Sequence, residues 1–171
     1  PGPVTEETAR GVRKVIADRM YESPQSQAQL TLNSVADARA LKRYRELVKG
    51  AVQARRSAGA EGTDAAEAEA VNITINDMIL FAVSRVLPRF PEMNSHMEEY
   101  TLRRFHHVHL GFAVDTPKGL MVPTIRNADR RSMKEIARES RRLAEACTAG
   151  KATQEDLVPG TFTVSNLGNL G

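Results

Sequence analysis

The side chains best able to do chemistry fall in three places. His106, His107 and His109 crowd one segment. In an extended chain His107 and His109 share a face, and histidines at alternate positions can ligate zinc. No CxxC or HExxH pattern and no third ligand at a fitting spacing accompanies them. Hydrogen bonding at a strand edge or in the core is the simpler role, and substrate contact is a third. Ser165 follows Thr161 and Thr163 on the polar face of a strand and leads into Asn166-Leu167-Gly168-Asn169-Leu170-Gly171. A hydroxyl at a strand end beside a glycine turn is exposed and well oriented. The flanking pattern is not GxSxG and no histidine or acid can be assigned to it, so it is no nucleophile elbow. Read alone, Ser165 is better taken as a serine that caps a turn. Asp115 is a carboxylate at the end of an apolar strand beside Pro117, and capping that turn is its plain explanation. The glycines match neither a dinucleotide fingerprint nor a P-loop, which leaves nucleotide binding with weak support.

These residues must be positioned by elements that periodicity reveals. Between Gly11 and Ser23, Val12, Val15, Ile16 and Met20 recur at helical spacing while Arg13, Lys14, Asp18 and Arg19 supply the polar side. That predicts a short amphipathic helix closed by Ser23-Pro24. Residues 27–35 alternate, Ala28, Leu30 and Leu32 against Gln29, Thr31 and Asn33, which predicts a half-buried strand. Asp37 can cap a second helix with Leu41, Tyr44, Val48, Ala51 and Val52 on one face, ending near Ser57, and 59–70 read as a mobile loop. Thr74 and Asp77 form a capping-box pattern ahead of the apolar stripe Ile75, Met78, Ile79, Ala82, Val83, Val86 and Leu87, which Pro88 and Pro91 end.

Residues 100–125 read as strand-rich. Val108, Leu110, Phe112 and Val114 point one way, and His107, His109, Gly111, Ala113 and Asp115 the other. Thr116-Pro117-Lys118-Gly119 has type I turn chemistry and predicts a hairpin. A last helix starts at Ser132 with Glu135 three residues on, packs Met133, Ile136, Ala137 and Ala144, and stops at Gly150, before 161–164 return to strand. This order predicts an α/β protein of the two-layer α+β type, a mixed sheet with helices packed on one face.

At 171 residues, 41% hydrophobic and 26% charged, the chain suits one globular domain. Pro1-Gly2-Pro3 and the residues to 9 read as the end of a linker, with the domain over 10–171. No apolar run approaches the roughly 20 residues that cross a bilayer, and no basic-plus-apolar leader opens the chain, so the expected setting is soluble and intracellular. The net charge of +3 is spread along the chain, unlike the clustered charge of nucleic-acid binders. Arg130-Arg131 and Arg141-Arg142 read as solvated helix faces, with an anionic ligand the alternative. The single Cys147 cannot build a disulfide frame or a metal site and reads as a half-buried structural thiol.

Several segments recur together. They are Gly11-Val12-Arg13-Lys14-Val15-Ile16-Ala17-Asp18-Arg19-Met20, Ser23 with Ala28-Gln29-Leu30-Thr31, Phe90-Pro91-Glu92-Met93-Asn94, the run from His109 through Asp115-Thr116-Pro117-Lys118-Gly119-Leu120 to Ile125-Arg126, and Gly160-Thr161-Phe162-Thr163-Val164-Ser165-Asn166-Leu167-Gly168. In types and order they resemble the catalytic core of the dihydrolipoamide acyltransferases, the E2 components of 2-oxo acid dehydrogenase complexes. The Ser-Asn-Leu-Gly turn looks more like the pyruvate or branched-chain type than the 2-oxoglutarate type.

The resemblance implies a chloramphenicol-acetyltransferase-like fold, a homotrimer with active sites in channels between subunits, and trimers assembled into a cubic or icosahedral core served by E1 and E3 components. It implies acyl transfer, in the first instance acetyl transfer, between dihydrolipoamide carried on a separate lipoyl domain and coenzyme A as substrate. No metal, nucleic acid or membrane enters, and the setting is a bacterial cytoplasm or a mitochondrial matrix. Ser165 matches the family's oxyanion hydrogen-bond donor, and Asp115 becomes a channel residue. Arg13 and Arg19 match first-helix basic positions, where an arginine can pair with the acid of an His-Arg-x-x-x-Asp-Gly motif. That motif supplies the family's general base, and no histidine here is followed four residues later by Asp-Gly. The base is therefore expected beyond Gly171, with these residues inactive on their own. A catalytically silent core or scaffold subunit and a free-standing chloramphenicol-type acetyltransferase are the alternatives.

Overall fold

A computed structural model describes residues 2–57, 72–117, 119–166 and 168. In chain order the elements are α1 (Val12–Ser26), α2 (Arg39–Ser57), α3 (Ile75–Val86), a 3₁₀ turn at Leu87–Arg89, β1 (Ser95–Glu98), β2 (Thr101–Arg104), β3 (Leu110–Phe112), β4 (Thr124–Ile125), a second 3₁₀ turn at Ala128–Arg130, α4 (Met133–Thr148) and β5 (Phe162–Val164). β1 and β2 form a separate antiparallel hairpin, while β3 lies between β4 and β5 in a three-stranded sheet. β4 runs antiparallel to β3, and β5 runs parallel to it with Leu110 opposite Phe162 and Phe112 opposite Val164. The predicted two-layer mixed sheet is present.

Alternation sends Val108, Leu110 and Phe112 to one side of β3, where they join Ile125, Leu80, Leu87, Ile136 and Leu143 in the main core. α3 and α4 thus cover the same face of the sheet. A smaller cluster of Ile73, Met78 and Ala137 seats α2 through Leu41 and Val48. Both predicted capping boxes form, Thr74 with Asp77 and Ser132 with Glu135, and each satisfies backbone N–H groups that open a helix. Gly150, at φ 67, ends α4 with its N–H on the Cys147 carbonyl.

Polar pins tie these layers together. The buried Asn94 amide donates to the carbonyls of Phe105 at 2.9 Å and His107 at 3.2 Å, and its Oδ1 accepts from the Thr161 hydroxyl at 2.6 Å. Thr161 Oγ1 in turn accepts from His109 N at 3.1 Å. Gly160 lets the two strands approach there, since a Cβ would stand 2.5 Å from His109 O. Asp77 takes bonds from Thr74 N, Thr74 Oγ1 and Ser140 Oγ, the last joining α3 to α4. The Arg85 guanidinium lies 4.7 Å from the Phe81 ring centroid and donates to the carbonyls of Asp129 and Arg131.

Some expectations change. α1 runs through Pro24 to Ser26, because a proline in the last turns deletes only one near-terminal bond. The strand expected over 27–35 is absent: Leu30, Leu32 and Val35 are 82%, 85% and 99% exposed, and among the described residues no strand pairs with the segment. Alternation states which residues share a face, but a strand also needs a neighbour to bond its backbone. The Arg130-Arg131 and Arg141-Arg142 pairs are more than solvated faces. Arg131 donates to the Arg126 carbonyl, Arg141 to the Asn72 carbonyl, and Arg142 to Glu139 and Asp156. Cys147 is buried rather than half-buried, which holds its thiol above the ordinary range. The loop expected over 59–70 lies outside the described residues.

Asn94→Ala takes the side-chain donor from the part-buried carbonyls of Phe105 and His107 and leaves the Thr161 hydroxyl only its bonds to His109, and should cost about 1–3 kcal/mol in urea denaturation; an unchanged midpoint would mean that the clamp carries no stability. Bonds from Arg142, first, and from Thr153 hold the Asp156 carboxyl down from 3.8 to about 2. Its contribution is therefore present at neutral pH and lost as pH falls through about 4 toward about 2. Asp156→Asn should flatten the acid limb of a stability-against-pH curve over that window while leaving its shape above pH ~5 unchanged.

Candidate functional site

β5 carries Ser165 to the end of the sheet. The Ala113 N–H donates to the Val164 carbonyl at 3.2 Å, extending the parallel ladder one step past Phe112 and Val164. Ser165 therefore comes abreast of Ala113 on the face away from α3 and α4. Gly111 and Thr163 share that face, a Cβ on Gly111 falling 3.1 Å from Thr163 Oγ1, and both Thr163 and Ser165 are exposed. Asn166 follows. Its Oδ1 accepts from Gly168 N at 2.9 Å, and its Nδ2 donates to Asn76 Oδ1 in the first turn of α3 at 3.3 Å. Among the described residues, then, the bond that closes this turn belongs to Asn166 and not to the Ser165 hydroxyl.

Asp115 is held in the hairpin that follows β3. Val114 and Met121 exchange backbone bonds of 2.8 and 2.9 Å, Gly119 N donates to Thr116 O at 2.9 Å, and Thr116 Oγ1 donates to Gly119 O at 2.6 Å. The bonds across this turn come from Thr116, while the Asp115 carboxylate is exposed and, by alternation, on the face of Ala113 and Ser165. Gly119, at φ 115, lies under α1: a Cβ there would stand 3.3 Å from Ile16 Cδ1. Arg13 and Arg19 lie three residues either side of Ile16, about 60° round the helix from it. Both are exposed, one on each side of Ile16.

The histidines are elsewhere. Thr161 bonds His109 at the start of the β3–β5 ladder, and Ser165 leaves at its other end, roughly 13 Å along the strand. His107 Nδ1 lies 3.2 Å from Asp129 Oδ2, and Val108 N donates to Asp129 Oδ1 at 2.9 Å. Partial burial works against the Asp129 charge, but the bonds from Val108 and His107 outweigh it and hold the carboxyl below its ordinary range. His109 Nδ1 accepts from Asn127 N at 3.3 Å, a bond that needs an unprotonated nitrogen. His96 packs edge-on against Phe105, ring centroids 4.9 Å apart. Among the described residues no three His, Cys, Asp or Glu side chains converge as a metal site.

The structure thus gathers Ser165 and Asp115 on one sheet face and sets α1, which carries Arg13 and Arg19, by the adjoining hairpin, while the histidines stand apart. Two residues join the site that the sequence did not single out. Asn166 had a signal, an Asn after a strand and before a Gly, which favours an Asx turn. Asn76 had none, because its partner lies 90 residues away.

The profile of the family described as 2-oxoacid dehydrogenases acyltransferase (catalytic domain) matches residues 1–171. The chain is 37% identical over 160 residues to the Caenorhabditis elegans mitochondrial dihydrolipoyllysine-residue acetyltransferase component of the pyruvate dehydrogenase complex, covering 94% of this chain and 30% of that protein. Two solved structures superpose with a TM-score of 0.84 at 30% identity, over 99% of this chain and 65% of theirs. One is the Azotobacter vinelandii dihydrolipoamide acetyltransferase (E2p), solved to define the roles of a serine, a histidine and an asparagine in its catalytic mechanism. The other is the cubic core of the pyruvate dehydrogenase multienzyme complex. The chain spans less than half the length of the C. elegans relative and about two thirds of the solved chains.

Burial first, then the Arg126 charge, pushes His109 below its usual 6.5. An NMR titration of the imidazole resonances should place its midpoint under that value and show it rising in Arg126→Ala; a midpoint above 6.5 would contradict the geometry.

Proposed function

The chain belongs to the 2-oxoacid dehydrogenases acyltransferase family, and from that membership we propose that residues 10–171 form most of a core that moves an acetyl group between dihydrolipoamide and coenzyme A, with 1–9 the end of a tether. The observation that carries the reading is the exposed Ser165 hydroxyl at the end of β5, in a turn whose closing bond comes from Asn166 instead.

In the proposed reaction a general base takes the proton of the coenzyme A thiol. The thiol's ordinary pKa near 8.5 leaves little thiolate at neutral pH. The thiolate sulfur attacks the carbonyl carbon of the acetyl-dihydrolipoamide thioester, a C–S bond forms, and the carbonyl electron pair moves to oxygen. The Ser165 O–H donates to that oxyanion. When the carbonyl re-forms, the bond to the dihydrolipoamide sulfur breaks, and the departing thiolate takes the proton back from the base. His107 and His109 stand at the far end of the ladder, and no histidine here heads an His-Arg-x-x-x-Asp-Gly motif. The base in this reading comes from outside these residues.

Asp115, on the face of Ser165, lines the substrate channel. Arg13 and Arg19 of α1 pair with the acid of the loop that carries the base. The active unit is a homotrimer built into a larger core that works with E1 and E3 components, in a bacterial cytoplasm or a mitochondrial matrix. The lipoyl group arrives on a separate domain, and coenzyme A binds as substrate without a metal. The exposed apolar residues of α1 and 27–35 support a subunit that is buried further on assembly.

In the whole protein that carries these residues, Ser165→Ala should lower kcat for acetyl transfer from acetyl-coenzyme A to dihydrolipoamide by about 10²–10³ with KM little changed. Equal rates would remove the oxyanion-donor role and favour a silent scaffold subunit.

A further inference from the structure

We infer that Asn76 is a positioning residue for Ser165, holding its hydroxyl in line with the reacting carbonyl through Asn166. The inference rests on the acyl-transfer reading of Ser165 and adds a residue from a distant part of the chain.

Ser165 lies just past the regular ladder. The bond from Ala113 N to Val164 O, at 3.2 Å, restrains its N-terminal side. On its C-terminal side the restraint is Asn166, whose side-chain amide works at both ends. Oδ1 closes the turn on Gly168 N at 2.9 Å, and Nδ2 reaches Asn76 Oδ1 at 3.3 Å. The first bond shapes the turn but leaves it able to swing as a unit, because both its partners lie within the turn. The second fixes it to the body of the protein.

Asn76 is a firm anchor for three reasons. It is half-buried at the start of a twelve-residue helix. The next residue, Asp77, is buried and takes bonds from Thr74 N at 2.8 Å, Thr74 Oγ1 at 2.7 Å and Ser140 Oγ at 2.7 Å. Through Ser140 the start of α3 is locked to α4, and through Leu80 and Leu87 it is packed on the sheet that carries β5. Ser165 is thus spanned by two supports that belong to one packed unit. A hydrogen-bond donor works on a developing oxyanion only if it is aimed before the charge appears, and a misplacement of about 1 Å can cost about 10²-fold.

The test uses the whole protein in the acetyl-coenzyme A and dihydrolipoamide assay. Asn76→Ala should lower kcat by about 10- to 100-fold while KM for either substrate stays within about twofold. Asn166→Ser, which keeps an acceptor for Gly168 N but is too short to reach Asn76, should reproduce that loss. In a Ser165→Ala background, Asn76→Ala should change kcat no further, since there is no longer a hydroxyl to aim. An Asn76→Ala enzyme with normal kcat would overturn the inference, as would a full further loss in the Ser165→Ala background, which would assign Asn76 an independent role. If Ser165→Ala itself leaves the rate unchanged, the acyl-transfer reading of Ser165 falls first, and with it the ground for this inference.

Discussion

The buried bond between the Thr161 hydroxyl and the Asn94 amide is the constraint on which the rest of the sheet depends. It stands at the first rung of the parallel β3–β5 pair, where Thr161 N also donates to the His109 carbonyl at 2.7 Å. A parallel pair gets no register from a tight turn, and a slip of one residue would carry every side chain of β5 to the opposite face. Ser165 would then point toward α3 and α4. Asn94 prevents the slip by demanding a hydroxyl at one position, buried among carbonyls that its own amide already satisfies, and Gly160 admits the close approach that puts it there. The register of the whole strand is set by a polar group whose displacement would strand several buried partners.

The same device recurs at the other buried junctions. Asp77 joins α3 to α4 through Ser140, Asp129 joins the second 3₁₀ turn to the backbone ahead of β3, and Asp156 joins the segment before β5 to α4 through Arg142. Each carboxylate is satisfied by several donors, the condition under which a buried charge is tolerated. The apolar core supplies the bulk of the driving force and little direction. The carboxylates specify which parts of the chain meet.

Elements whose signals are local were legible in the sequence. The two capping boxes, the apolar stripe of α3, the alternation from Val108 to Val114 and the glycine after α4 each depend on residues within one or two turns of one another. The sequence was less informative where the outcome depends on a partner. Residues 27–35 alternate like a strand but lie exposed and unpaired among the described residues, because alternation carries no information about a neighbour. The hairpin strand Ser95–Glu98 was hidden behind a polar composition, and its turn at Glu99, φ 52, uses a residue with no turn signature. At the candidate site, residue type and family pattern singled out Ser165 and Asp115, whereas Asn76 needed three dimensions to find. Spacing alone could not separate the histidines from the serine, although the ladder sets them at opposite ends.

The parallel pairing also bears on the order in which the molecule comes together. Thr161 and His109 meet across 52 residues of chain, and closing so long a loop costs entropy that only the finished contact repays. The hydrogen bonds of α3, the β1–β2 hairpin and α4 join near neighbours in sequence, while β5 pairs only with a distant strand. The serine turn rides on the strand whose pairing spans the longest stretch of chain in this sheet. A chain that has collapsed correctly but not yet docked β5 would contain every helix and most of its core, and still present no aligned hydroxyl. The capacity for chemistry is thus tied to a contact of long reach along the chain, and not to any single element.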